Sequence, residues 1–444
     1  MFLSFSTAKD LKNQAEILPS GPAWKSQSIS PAYPTKAAVV LYYRDSVECM
    51  QALVSSPLLQ DHMQYKPFRL YDSATKVMRV YTEWLSGDAA HYMQDHMQYK
   101  PFRLYDSATK VMRVYTEWLS GDAAHYMQIC NDKFYHYLDV SPRASQEKIP
   151  EGGTLIGAII SSDKTHISAQ TGNRAAHPLL LSCANINMNV RNKASGHLFV
   201  LLALLPIPIY HHKKSVIRGM LENRLFHECL DIVLGPLKKV AEIGMMFADP
   251  LGNLRRCYTP IAAYIVDTPE SALIAGVGAL TSSVTMAMYK NFGDDFRHPP
   301  RTGASTLKSI AALEAKYDPW ELEKFKEMSF ELYHLNGVNR PFWLDWPLSD
   351  PSIFLTPEPL HHWHKQFWDH DVKWCINAVG AAELDFRFSV LQPRTGYRHF
   401  KEGISALKQV TGREHRNIER YVVALIAEAV SDDFVYAVRS LMDF

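Results

Sequence analysis

An α/β fold is what this chain predicts, and three observations carry it. Two apolar, β-branched runs, Thr154-Leu-Ile-Gly-Ala-Ile-Ile-Ser-Ser-Asp163 and Pro260-Ile-Ala-Ala-Tyr-Ile-Val-Asp267, each end on an aspartate. A long stretch with helical spacing precedes the second run, and further strand-like runs follow the first. β-Branched residues suit the half-buried surface of a pleated sheet, whereas recurrence at three and four residues marks one face of a helix.

Taken in order, the first strand is read over 155–161, the second over 177–186 and the third over 197–205. Turn formers separate them, Thr171-Gly-Asn in one gap and the stretch from Asn189 to Gly196 in the other. The helix is read from Ser215 to Ile243, with Ile217, Met220, Leu221, Leu225, Leu230, Ile232 and Val233 at helical spacing. The strand ending at Asp267 follows. An antiparallel three-strand meander, a crossover helix and one further strand make the order of a ribonuclease H-like core. A right-handed crossover sets the fourth strand parallel to the first and beside it. Asp163 and Asp267 then stand side by side at one sheet edge.

From Gly303 the pattern turns mainly helical: Asp318-Pro-Trp opens a helix that stops near Asn336-Gly337, and others start from Pro359, Ala381 and Thr411. The organisation read from this is an N-terminal flanking segment (1–60), a tandem duplication (61–128), an irregular insertion (129–149) and the first part of the core (150–295). A mainly helical insertion (296–405) and C-terminal helices that complete the core (406–444) follow.

The duplication is an identical copy: the 34 residues from Asp61 to Gln94 recur unchanged from Asp95 to Gln128. The period equals that of tetratricopeptide repeats, but the W-x-x-L-G-x-x-Y arrangement is missing and such arrays need about three copies. Identity without divergence points to a recent duplication in the DNA or to an error in the assembled gene. Within each copy, Phe68-Arg-Leu-Tyr, Asp72-Ser-Ala-Thr and Val77-Met-Arg-Val-Tyr-Thr read as a hairpin. One copy is expected in the native position and the other as a surface insertion, because lengthening a loop costs little.

Composition excludes several classes. A 47% hydrophobic content is that of a globular chain with a core, and a net charge of +1 confines any nucleic-acid surface to a local patch. The N-terminus lacks a basic region followed by an apolar one, and the longest apolar run, 198–209, is short and broken by Pro206 and Pro208. No membrane partner is expected. Six cysteines without a C-x-x-C pair argue against a zinc ribbon or a disulfide framework and read as buried thiols.

Two acids from distant parts of the chain at one sheet edge are the raw material of a two-metal phosphoryl-transfer site. Taken singly, each has a plainer reading: Asp163 closes a strand as a turn residue, and Asp267, before Thr268-Pro269, caps a helix. A third acid is usual, and Glu414 in Thr411-Gly-Arg-Glu-His-Arg is the best placed, on the stripe of Ile418, Tyr421, Val422, Leu425 and Ile426. Its plainer reading is a capping box with Thr411. Glu428 lies near the same face and Glu419 points away. The run His361-His-Trp-His364 with Asp369-His-Asp371 lacks the partners of a zinc site. The basic concentration of Arg394, Arg398, Lys401, Lys408, Arg413, Arg416 and Arg420 either faces a DNA backbone or is a solvated helix surface.

At these residues the chain resembles the Plavaka transposases of fungal DNA transposons, relatives of the CACTA group. Matching segments are Pro150-Glu-Gly-Gly-Thr, Ser161-Ser-Asp-Lys-Thr-His-Ile-Ser, Thr171-Gly-Asn-Arg-Ala-Ala-His-Pro-Leu, Asp249-Pro-Leu-Gly-Asn-Leu-Arg and Tyr264-Ile-Val-Asp-Thr-Pro-Glu. Later ones are Phe296-Arg-His-Pro-Pro-Arg-Thr, Thr356-Pro-Glu-Pro-Leu-His-His, Trp368-Asp-His-Asp-Val-Lys-Trp-Cys and Gln409-Val-Thr-Gly-Arg-Glu-His-Arg. The resemblance implies a DDE-type core in which Asp163, Asp267 and Glu414 hold Mg²⁺ (or Mn²⁺), supported by Glu358 and His361 of a C/D-x-x-H-like element. It further implies transposon-end DNA as partner and a nuclear location; Arg394, Arg398, Lys401, Arg413 and Arg416 of the basic concentration are the residues read as binding that DNA. Self-association is left open. Family members carry one copy of the duplicated segment and extend further at both ends, so a truncated or degenerate copy is one reading of this chain. The alternatives are an inactive, transposase-derived DNA-binding or interaction protein and a helical scaffold built on the 34-residue unit.

Overall fold

A computed structural model describes residues 21–65, 150, 152–168, 174–296, 298–355, 364–395, 397–408 and 410–443. Of the duplicated unit only residues 61–65 of the first copy fall within these. The expected hairpins, the irregular insertion, Glu358, His361 and the start of the helix read from Pro359 lie outside the described residues, while 364–379 are helical. The described residues form two compact units, one ending at Leu355 and the other beginning at His364.

The first unit is a mixed α/β structure. Its strands are β1 (Lys25–Ile29), β2 (Val39–Tyr43), β3 (Thr154–Leu155), β4 (Ala158–Ser162), β5 (Thr165–Ser168), β6 (Arg174–Ala176), β7 (Pro178–Cys183), β8 (Val200–Leu204), β9 (Met245–Ala248), β10 (Leu254–Tyr258) and β11 (Ile261–Ile265). Its main helices are α1 (Ser46–Val54), α2 (Ser215–Ile243), α3 (Thr268–Ala275), α4 (Gly303–Glu314) and α5 (Leu322–Tyr333). The main sheet has the order β1-β2-β8-β7-β4-β11. β4, β7 and β8 pair antiparallel in succession, and β11 lies parallel to β4. The meander, the crossover helix and the return of the last strand beside the first are therefore all present, and α2 spans the residues its apolar spacing marks.

Packing explains why β4 reads as a nearly continuous apolar run. Ala158 and Ile160 enter the main core with Leu179, Leu181 and the α2 side chains Leu225, Leu230, Val233 and Leu237. Ile159, on the opposite face, joins Leu155, Ala184, Tyr258 and Ala262. A strand covered on both faces has no polar face to show.

Three features differ from the sequence reading. The first run is two strands, not one: β3 leaves to pair with β10 in a separate sheet of order β3-β10-β9. Buried Asn185 holds the crossing, accepting from the Gly157 N–H at 2.9 Å and donating to the carbonyls of Leu155 at 2.8 Å and Gln64 at 2.7 Å. A hairpin, β9–β10, stands between α2 and β11, its turn held by Asp249, whose carboxylate accepts from the N–H groups of Leu251 and Asn253 and from Arg255. The N-terminal segment also contributes to the fold, because β2 pairs with β8 and β1 with β2.

The second unit is helical: α6 (Lys373–Val379), α7 (Ala381–Ser389), α8 (Gly412–Ile426) and α9 (Asp432–Asp443) surround Phe388, Phe400, Ile404, Ile418, Val422 and Ile426. The five described cysteines, Cys49, Cys183, Cys229, Cys257 and Cys375, are buried and unpaired, as read. Among the described residues no helix is long and apolar enough to cross a membrane.

Candidate active site

Parallel strands send their carboxyl ends to the same edge, and the register of β4 with β11 fixes how they meet there. Ile265 pairs with Ser161. Continued by two residues, that register brings Asp163 and Asp267 to equivalent positions just beyond the two strands.

Their surroundings differ. Asp163 is exposed, and its Oδ2 accepts a long bond from the Thr165 hydroxyl at 3.3 Å. Asp267 is half-buried and caps α3, its Oδ1 accepting from the Glu270 N–H at 2.9 Å. The plainer reading of Asp267 as a helix cap therefore holds, and it uses only one oxygen: among the described residues Oδ2 has no partner.

Beneath the pair lies a polar cluster that sequence reasoning missed. Glu270, in the first turn of α3, has a side chain only 10% exposed. Its Oε1 accepts from the Ser162 hydroxyl and approaches His177 Nε2 at 3.2 Å. Ser162 Oγ also shares a hydrogen bond with the Tyr264 hydroxyl at 3.0 Å. Burial first, and then the neighbouring Glu270, raise the Tyr264 phenol well above its ordinary range, while the Ser162 bond works the other way. His177 rests against the ring of Phe226, 5.2 Å between centroids. The only sequence signal for Glu270 was its place three residues after the capping Asp267, the pattern of a helix start.

Two hard carboxylates with oxygens to spare fit a divalent cation of the Mg²⁺ kind, which needs only one or two protein carboxylates and takes its other ligands from water and phosphate. Among the described residues no group of three or more His, Cys, Asp or Glu side chains is arranged to hold a metal ion.

Glu414 lies in the second unit, and both its oxygens are engaged there. Oε2 accepts from the Thr411 N–H at 2.7 Å in a capping box, and Oε1 pairs with Arg398. Glu419 also turns inward in that unit, with both oxygens 2.8 Å from His364 Nδ1. Of the basic set, Arg394, Arg398, Lys401 and Arg416 are exposed. Arg416 donates to His364 Nε2 at 3.2 Å, and Arg394 and Arg420 both lie against the ring of Tyr397.

Compared with known families, the chain matches the Plavaka transposase model over residues 5–96 and 91–375. The chain belongs to the Plavaka transposase family. The two fitted segments overlap at residues 91–96, across the junction of the identical copies at 94 and 95. Asp163, Asp267 and Glu270 lie inside the Plavaka match, while Glu414 and the basic residues from Arg394 onward lie beyond its end at residue 375. No curated protein matches the chain.

Proposed function

We propose that this Plavaka family member is a DDE-type transposase core of ribonuclease H-like topology that cuts and joins DNA at transposon ends. The observation that carries the proposal is the in-register meeting of Asp163 and Asp267 beyond the parallel β4–β11 pair, in a chain of this family. Asp163 and Oδ2 of Asp267, which has no partner among the described residues, would hold Mg²⁺ or Mn²⁺. The chemistry such an ion supplies is the activation of water, and then of a 3′-hydroxyl, for in-line attack on a phosphodiester. The protein's own part is to hold the two carboxylates apart at a fixed spacing and to neutralise the DNA backbone with Arg394, Arg398, Lys401, Arg413 and Arg416. A nuclear location follows from a chromosomal DNA substrate. Glu414, whose two oxygens are engaged by Thr411 and Arg398, enters the proposal as a helix cap.

One observation favours the alternative of a DNA-binding descendant that no longer cuts: the lack, among the described residues, of a third ligand beside the pair. A nicking assay on transposon-end DNA with Mg²⁺ or Mn²⁺ separates the two. Asp163→Asn and Asp267→Asn are near-isosteric, and asparagine still caps a helix, so both variants keep the fold. We expect the intact chain to nick and both variants to lose nicking while binding DNA as before. Binding without nicking by the intact chain, or equal nicking by the variants, overturns the catalytic reading.

A further inference from the structure

Glu270 touches the supports of both candidate carboxylates at once. Its backbone N–H donates to Asp267 Oδ1 at 2.9 Å, and its carboxylate takes the hydroxyl of Ser162, the residue before Asp163. Tyr264, three residues before Asp267, closes the loop by bonding the same Ser162 hydroxyl at 3.0 Å. The ring of contacts thus runs from the end of β4 through Glu270 to the start of α3 and back along β11. His177, beside β7, adds a fourth element by approaching Glu270 Oε1 at 3.2 Å.

The members of this ring carry polar atoms into the buried interior. Ser162 is 4% exposed, His177 9% and Tyr264 0%, so their polar atoms must find partners inside the protein. A carboxylate is costly to bury unless it is hydrogen-bonded, and the bonds on Oε1 offset that cost. Such a network, once satisfied, holds its members in a single arrangement. Two carboxylates that share a cation depend on their spacing, and here a single residue bridges the elements that carry them.

We infer that Glu270 is a positioning residue: through Ser162 and the α3 cap it fixes the spacing of Asp163 and Asp267, and with it their affinity for a divalent cation. The inference rests on the site proposed above. Glu270 acts through these neighbours, because its engaged oxygen faces Ser162 and His177.

The test is Mn²⁺ binding to the full-length chain, followed by electron paramagnetic resonance, in wild type, Glu270→Ala, Glu270→Gln, Ser162→Ala and Asp163→Asn. Glutamine keeps the acceptor for Ser162 but lacks the charge. Positioning predicts that Glu270→Gln stays within about threefold of wild type, that Glu270→Ala and Ser162→Ala weaken Mn²⁺ binding about tenfold, and that Asp163→Asn weakens it most. Circular dichroism and DNA affinity are expected to be unchanged in all four variants, so a general loss of fold would be seen separately. If Glu270→Gln falls as far as Asp163→Asn, Glu270 is a ligand and the inference fails. It fails equally if Glu270→Ala and Ser162→Ala bind as wild type does, or if the wild-type chain binds no Mn²⁺. A chain that binds Mn²⁺ in the predicted order but never nicks DNA sinks the catalytic reading and leaves this inference standing.

Discussion

The candidate metal-binding carboxylates of the two units are treated in opposite ways. At the edge of the main sheet, among the described residues, Asp163 accepts one 3.3 Å bond from a hydroxyl, and Asp267 gives one oxygen to its cap and keeps the other. In the helical unit, Glu414 gives one oxygen to the Thr411 N–H and the other to Arg398, and Glu419 gives both to His364. An acid of the right type at the right place in the sequence is therefore not enough to mark a metal ligand. Unused lone pairs separate a candidate ligand from a structural carboxylate, and only the fold reveals them.

The sharpest way to break this comparison is the Asp163→Asn and Asp267→Asn pair. If the open oxygens serve the reaction, each change lowers the nicking rate by roughly 10²-fold or more, since metal-assisted charge stabilisation amounts to several kcal/mol and each 1.36 kcal/mol is a factor of ten. A loss below about tenfold in a correctly folded variant would remove the distinction between the two sets of acids.

A second contrast concerns a buried histidine on α2. Phe342 N–H donates to His227 Nδ1 at 3.1 Å, so Nε2 carries the proton that reaches the Leu273 carbonyl of α3, also at 3.1 Å. Burial lowers the His227 pKa to about 4 from an ordinary value of 6.5. The sign follows: between these values the unfolded chain takes up a proton that the folded one refuses. The stability is complete above pH 6.5 and is lost as pH falls towards 4, by roughly 3 kcal/mol in all. Urea unfolding at pH 7 and pH 4.5 checks this, and His227→Gln, which can both accept and donate, should flatten the dependence. His415 in the second unit is shifted in the same direction, also by burial, and leaves a smaller residual slope.

Much of the first unit was legible because its signals are local. The apolar spacing of α2 gives its limits, and the two runs ending in aspartate give β4 and β11. The crossing at Ile156-Gly157 was not legible: both β3 and β4 are apolar, and only long-range bonds to Asn185 show that one run serves two sheets. The β9–β10 hairpin was missed because Met245, Met246 and Leu254 face solvent, which blurs the alternation expected of strands. Its turn, Asp249-Pro-Leu-Gly-Asn, was a usable sign. Glu270 escaped because its three partners, Ser162, His177 and Asp267, come from the end of β4, the residue before β7 and the cap of α3, and no sequence spacing brings these together.

Backbone strain gives a smaller test of the same contrast between units. Gly244 ends α2 at φ 73 and ψ 155, a conformation that only glycine adopts readily. A Cβ there would lie 2.7 Å from the ring of Tyr258. Gly380, between α6 and α7, has φ 91 and ψ 136 but nothing within 4 Å of a Cβ. Gly244→Ala should cost about 1–3 kcal/mol of strain and a further clash, and Gly380→Ala the strain alone. Equal losses in urea unfolding would mean that Tyr258 moves aside freely.

The smallest effect decides the most about Glu414. As a cap it satisfies the Thr411 N–H, and removing a cap costs about 1 kcal/mol, to which the half-exposed Arg398 pair adds little. Glu414→Ala should therefore lower stability by that amount. Glutamine serves the same position of a capping box, so Glu414→Gln should restore most of the loss. Because glutamine lacks the charge, the same variant separates the cap from a ligand. A capping Glu414 predicts that Glu414→Gln nicks transposon-end DNA within about threefold of wild type, since the cap survives and no metal contact is lost. A fall as deep as that of Asp163→Asn would instead make Glu414 the third acid, which requires it to leave Thr411 and Arg398 when DNA binds. The capping geometry would then be the resting arrangement of a residue that changes partners, and the contrast between open and committed carboxylates would describe only the DNA-free protein.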